Sequence, residues 1–235
     1  MKKSPKNLFQ IIIVTALLLV LALISVRYGS TNEWNDWVIF ESRLPHVIGA
    51  VVAGASLALC GHFMQWIFRN PLAGPSVLGV TSGASLGVAI VFFLPTMLFI
   101  SPVIPVMGAF IGSLAVLLIM AVLSKRFQQM ATLLIVGMLL AQLTGALETI
   151  LLKWGSDSSR SSFLFWGMGS LDALHFKHLI WLLLGAWLPL IPLLFMNRAL
   201  NAYALGDEIS LTSGVNIHQL RILFFVAIGL AVSSV

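Results

Sequence analysis

The chain has 235 residues, 59% of them hydrophobic and 9% charged, with 13 Lys and Arg against 8 Asp and Glu. A mean hydropathy of +1.03 excludes a soluble domain, which needs a charged shell around its core, and places the chain in a bilayer. The net charge of +5 does not mark a nucleic-acid binder, because the basic residues are scattered at the ends of apolar runs and form no stripe. One cysteine, Cys60, lies inside an apolar run, which excludes a disulfide framework and a Cys-based metal site.

Lys2, Lys3 and Lys6 precede an apolar run over 8–26. That run is longer than the apolar part of a signal peptide, so it reads as a first span with its start inside. Residues 27–42 carry Glu33, Asp36, Glu41, Trp34 and Trp37 and read as an outer loop with interfacial anchors. A second span over 44–68 ends at Arg69. A polar hinge at Asn70, Pro71, Gly74 and Pro75 then leads to a third span over 77–96. Gly79, Gly83 and Gly87 recur every fourth residue, a small-residue stripe of the kind that lets membrane helices approach closely. Gly49 and Ala53 form a shorter stripe on the second span.

A fourth span over 102–123 carries Gly108 and Gly112 and stops at Lys125 and Arg126. A fifth follows over 131–152, then an outer segment over 153–177 and a sixth span over 178–196. In the inner loop over 197–221, one short helix is expected to end at Gly206. A second is expected to start with Asp207 as its N-cap, carry Glu208 in its first turn and end at Gly214. Asn216 is placed to cap the next membrane helix, and a seventh apolar segment runs from Ile222 to Val235, too short to span upright. The expected fold is therefore all-α: a polytopic bundle of six complete membrane helices and the start of a seventh, one transmembrane domain over 1–235.

Basic residues test this topology. The inner segments hold Lys2, Lys3, Lys6, Arg69, Lys125, Arg126, Arg198 and Arg221, and the outer ones Arg27, Arg43, Lys153, Arg160 and Lys177. The inward bias puts the N-terminus in the cytoplasm. Glu148 lies near the outer end of the fifth span, on one face with Gly137, Ala141 and Gly145. Its position allows two roles, lining a water-filled path or snorkelling to the interface. His175 and His178 stand three apart, and only Asp172 is near enough in sequence to join them, so they read as an interfacial pair and not a metal site. His62 reads as hydrogen-bonded to a neighbouring helix. The chain carries no GxxxxGK[ST] phosphate loop and no HExxH, so it is expected to be no enzyme and to take its energy from elsewhere.

The wording of several stretches is specific. RLP at 43–45, Gln65, FRNPLA at 68–73 with Asn70, Pro71, Leu72 and Ala73, and LGVTSGASLG at 78–87 resemble the FecCD-type permease subunits of ABC importers for iron-siderophore, haem and cobalamin compounds. ALGDE at 204–208 with SGV at 213–215 resembles the cytoplasmic coupling segment of the same family. His46 stands where that family commonly has a second arginine, and Gly74 where it has an acidic residue.

The resemblance implies about ten helices per subunit, so the chain reads as C-terminally truncated. It also implies two permease copies enclosing a path in the bacterial inner membrane, a separate ATP-binding cassette subunit, an extracytoplasmic substrate-binding protein and no cofactor. Within 197–221, Ala204, Leu205, Gly206, Asp207, Glu208, Gly214 and Val215 would form the ATPase contact. Arg43 and His46 would meet the binding protein, a role that for Arg43 competes with simple interfacial anchoring, and His46 would make that docking pH-sensitive. Two other function classes stand beside this one. A secondary transporter driven by an ion gradient would need paired intramembrane carboxylates, whereas Glu148 is the only deep one. A truncated, inactive remnant would insert without transporting.

Overall fold

The computed structural model describes residues 5–28, 38–93, 103–127, 129–169, 171 and 174–235, without the side chains of 5–8, 197 and 207. All regular structure among these residues is helical. Two compact units divide the chain, Met1–Val51 with Leu171–Trp181, and Val52–Ser170 with Leu182–Val235. The expected positions Lys2, Lys3, Glu33, Trp34, Asp36, Trp37, Pro102 and Asp172 lie outside the described residues.

In the first unit α1 (Pro5–Arg27) is apolar around its whole circumference and exposed along its length, as suits a helix whose solvent is lipid. A π-helical turn at Ile39–Arg43 leads without a break into α2 (Leu44–Phe68).

The second unit contains the rest of α2, then α3 (Val80–Phe93), α4 (Val103–Arg126), α5 (Met130–Trp154) and α6 (Asp157–Gly167). The end of α7 (Phe176–Trp187), α8 (Ile191–Phe195), α9 (Asn197–Leu205), α10 (Asp207–Thr212) and α11 (Ile217–Ser233) complete it. Its core gathers Met64 and Ile67 of α2, Leu78, Met120 of α4, Leu133 of α5 and Phe224, Phe225 and Ile228 of α11. Phe63 meets Phe224 edge-on at 5.6 Å between ring centroids, the geometry that aromatic quadrupoles favour.

A glycine-to-glycine contact joins α3 to α4. A Cβ on Gly83 would lie 2.8 Å from the Gly112 carbonyl oxygen, and one on Gly108 would lie 2.9 Å from that of Gly87. The two backbones touch directly, which only glycine permits.

Among the described residues, five helical stretches are long and apolar enough to cross a membrane: Phe9–Arg27, Ile39–Phe68, Val103–Arg126, Met130–Trp154 and Phe176–Phe195. Several expectations need correction. The third span begins at Val80 and not at residue 77, because residues 75–78 form a 3₁₀ turn closed by Gly79 at φ +74; its expected end at residue 96 lies outside the described residues. Gly79 therefore precedes the helix and does not continue its glycine stripe. The segment 153–177 contains α6, started by Ser156, whose Oγ accepts from the Ser159 amide at 3.2 Å.

The sixth span tightens into a 3₁₀ turn at Leu188–Leu190, where Pro189 supplies no amide hydrogen. There the buried Ser56 hydroxyl donates to the Ala186 carbonyl at 3.1 Å, supplying a donor where the ladder is interrupted. The last apolar helix covers Ile217–Ser233, 17 residues, and begins directly after the expected cap Asn216.

Candidate functional site

The sequence NRALNAYAL folds as α9 and stops where Gly206 takes φ +132 and ψ 159, a conformation that side-chain-bearing residues rarely adopt. Gly206, and not Asp207 as expected, is the N-cap of α10, so Asp207 is its first helical residue and Glu208 follows in the same turn. The correction keeps the electrostatics, because both acids still stand at the positive end of the helix dipole. Gly206 has no side chain to cap with. The Ser210 amide and hydroxyl both donate to the Gly206 carbonyl, at 3.0 and 2.8 Å.

Gly214 ends this elbow at φ +73. The Val215 amide reaches the Ser210 carbonyl at 3.0 Å and the Gly214 amide the Leu211 carbonyl at 3.1 Å, the left-handed helix stop that glycine favours. Asn216 caps α11 as expected, its Oδ1 accepting from the Gln219 amide at 3.1 Å.

Burial separates two sides of the elbow. Leu200, Tyr203 and Ser210 are buried, whereas Ala204, Leu205, Glu208, Ile209, Leu211 and Gly214 are exposed and Val215 is half-buried. Leu205 and Leu211 keep 70% and 65% of their surface. Leu205 and Leu211 thus present two large apolar side chains on two short helices that meet at Gly206.

Beneath it stands Tyr203, only 1% exposed and unremarked in the sequence although it is one of two tyrosines in the chain. Its hydroxyl donates to the Ile67 carbonyl at 3.1 Å. Its own carbonyl accepts from Arg69 Nη2. The Arg69 and Arg221 guanidinium carbons lie 4.5 and 5.9 Å from its ring centroid, and Arg221 is 6% exposed. Each cation over the ring face is favourable by about 0.5–2 kcal/mol.

Arg69 follows the last residue of α2 in a left-handed conformation, φ +48. The Asn70 amide reaches the Gln65 carbonyl at 3.1 Å, and the Arg69 amide that of Trp66 at 3.2 Å. The polar hinge begins there. Asn70 Oδ1 accepts from the Leu72 amide at 2.9 Å, and the Ala73 amide closes the turn on the Asn70 carbonyl at 3.1 Å. Gln65, Pro71 and Leu72 are exposed and Ala73 is buried.

Of the expected path residues, Gly137 receives the hinge: a Cβ there would lie 2.7 Å from the Val77 carbonyl oxygen. Gly79 faces the same stretch of α5, where its Cβ would lie 3.2 Å from the Ala141 nitrogen. Gly145 has open space in place of a neighbour, and Glu148 is half-buried one turn further on. His62 is exposed and lies against Trp66 of its own helix, ring centroids 5.0 Å apart, instead of bridging to a neighbouring helix. His175 and His178 are both exposed with ring centroids 5.9 Å apart, and the carbonyl of Glu41 lies 3.4 Å from His175 Nδ1.

Arg43 is 7% exposed, and its Nη1 donates to the Val26 and Arg27 carbonyls, each at 3.1 Å. The guanidinium thus closes the C-terminal end of α1. His46 is half-buried, one turn into α2.

The FecCD transport family matches residues 6–235. The chain is 38% identical to the hemin transport system permease protein HmuU of Yersinia pestis, an alignment covering 90% of this chain and 69% of that protein. It is 33% identical to the vitamin B12 import system permease protein BtuC of Photorhabdus laumondii, over 94% and 68% of the two chains. It is also 33% identical to the Fe(3+)-citrate import system permease protein YfmE of Bacillus subtilis, over 100% and 74%. A solved structure described as an inward-facing conformation of a metal-chelate-type ABC transporter superposes with a TM-score of 0.82 at 30% identity, covering 98% of this chain and 75% of that one. With its long apolar helices, its glycine-to-glycine helix contact and these relatives, the chain belongs to the FecCD transport family and is a membrane permease subunit of the ABC-importer kind.

Proposed function

We propose that this permease carries an iron chelate, haem or cobalamin-like compound across the bacterial inner membrane, driven by a separate ATP-binding cassette subunit that docks on the α9–α10 elbow. The observation that carries the docking is the exposed Leu205 and Leu211 pair on two short helices that meet at Gly206. Short helices with a fixed angle transmit a rigid-body displacement, where a floppy loop would absorb it. The names of the relatives support the substrate class. The N-terminus is then cytoplasmic, and Ala204, Gly206, Asp207, Glu208, Gly214 and Val215 belong to the docking surface.

Two permease copies enclose the path in this reading, with α3 and the Gly145 and Glu148 end of α5 as its lining, while Gly137 and Ala141 on the same face pack against residues 77–79. A substrate-binding protein docks near Arg43 and His46. Because Arg43 is held on the carbonyls of α1, its contribution there is to fix the turn that the partner meets.

The test is reconstitution of the chain in proteoliposomes with its ATPase and binding-protein partners, supplying haemin, cobalamin and a ferric siderophore in turn. ATP-dependent uptake of one of these classes is expected. Uptake that proceeds on an ion gradient without ATP would contradict the reading.

A further inference from the structure

Three stretches far apart in sequence converge on one side chain. Tyr203 in the last turn of α9 reaches the end of α2 through its hydroxyl on the Ile67 carbonyl, 3.1 Å, and through the Arg69 guanidinium over its ring, 4.5 Å. It reaches the start of α11 through the Arg221 guanidinium, 5.9 Å from the same ring centroid. The ring is buried, so it has no free rotamers through which to yield.

Arg69 adds an independent observation. It occupies the left-handed stop of α2 at φ +48, in the same hydrogen-bond pattern that Gly214 completes at φ +73 at the end of α10. Glycine is the residue this position favours, and any other carries backbone strain. An arginine there is explained by its side chain, which donates to the Tyr203 carbonyl and covers the Tyr203 ring.

We propose that Tyr203 is a positioning residue for transport: it clamps the α9–α10 elbow to α2 and α11 together, so that a push on the Leu205–Leu211 surface moves both membrane helices as one body. This inference rests on reading that surface as the ATPase docking site. It assigns the docking surface and the transmitting link to different residues, so the two are separable by mutation. Leu205 and Leu211 hold the partner, and Tyr203 with Arg69 carries the displacement.

The experiment compares wild type, Arg69→Gly, Tyr203→Leu and Tyr203→Phe, each purified with the ATPase subunit and reconstituted with the binding protein. Co-purified ATPase, ATP hydrolysis rate and substrate taken up per ATP are measured. Arg69→Gly and Tyr203→Leu are expected to retain the ATPase and to hydrolyse ATP within about twofold of wild type, while uptake per ATP falls about tenfold. Tyr203→Phe keeps the ring beneath both guanidinium groups and is expected to lose about threefold or less.

Should Tyr203→Leu fail to accumulate in the membrane, Arg69→Gly decides the matter, since its backbone favours the substitution. Unchanged uptake per ATP in Arg69→Gly would overturn the clamp and leave the docking reading standing. Loss of the ATPase subunit from Arg69→Gly would also overturn the clamp, by making its residues part of the docking surface. A wild-type chain that retains no ATPase overturns the docking reading and the clamp with it.

Discussion

Glycine does different work in two regions of this permease. Between α3 and α4, Gly83, Gly87, Gly108 and Gly112 sit in ordinary helical conformation, and what matters is the missing methyl that lets the two backbones touch. At the elbow, Gly206 and Gly214 have open space around them, and what matters is a positive φ. The first region is dictated by its neighbours and the second by its own backbone. A side chain added in the first must push a helix away; in the second it strains a hinge without clashing with anything.

That difference ranks the mutations. Gly87→Leu forces α3 off the Gly108 and Gly112 backbone; overpacking of this kind costs about 3 kcal/mol or more, so loss of the monodisperse protein in detergent is expected. Gly206→Val leaves the packing intact and strains the elbow by about 1–3 kcal/mol. A lower melting temperature with reduced ATPase retention is its expected signature. Ser56→Ala leaves the Ala186 carbonyl without its hydroxyl donor, at a cost of about 1–2 kcal/mol, read as a smaller drop in melting temperature.

Asn216→Ala removes the cap of α11 and costs about 1 kcal/mol. Gly145→Ala, on a face with open space, is expected to change stability by no more than about 0.5 kcal/mol. A large loss there would show that this face is packed against a second copy of the chain.

The same distinction explains what was legible in the sequence. Small-residue spacing marked Gly83 and Gly87, and separately Gly108 and Gly112, as faces of close approach, because every-fourth-residue repetition is a one-dimensional signal of a helix face; that these two faces meet each other is seen only in the fold. Gly79 belonged to the repeat by number but not by conformation, since a glycine after Pro75 serves a turn as readily as a helix. The elbow was legible from its stop and start residues, to within the one-residue shift from Asp207 to Gly206 as N-cap.

Three of the arginines have partners that a charge tally does not show. A charge tally treats each as a topology marker, yet Arg43, Arg69 and Arg160 each donate to carbonyls in the last turn of a helix other than their own. Arg43 reaches Val26 and Arg27 of α1, Arg69 reaches Tyr203 of α9, and Arg160 reaches Leu152 and Lys153 of α5. Nothing local in sequence names such a partner: Arg69 and Tyr203 are 134 residues apart. Helix ends in a membrane must satisfy their last carbonyls, and a long cationic side chain from elsewhere in the chain is one way to do so.

Site-specific cross-linking at Leu205 tests the central claim most directly. A photoreactive residue placed there, in the complete complex with its ATP-binding cassette subunit, is expected to capture that subunit in the membrane, and Leu211→Asp in the same chain to reduce the yield. Capture of lipid or solvent alone from Leu205, with the ATPase still bound to the complex, would show that the motor docks elsewhere.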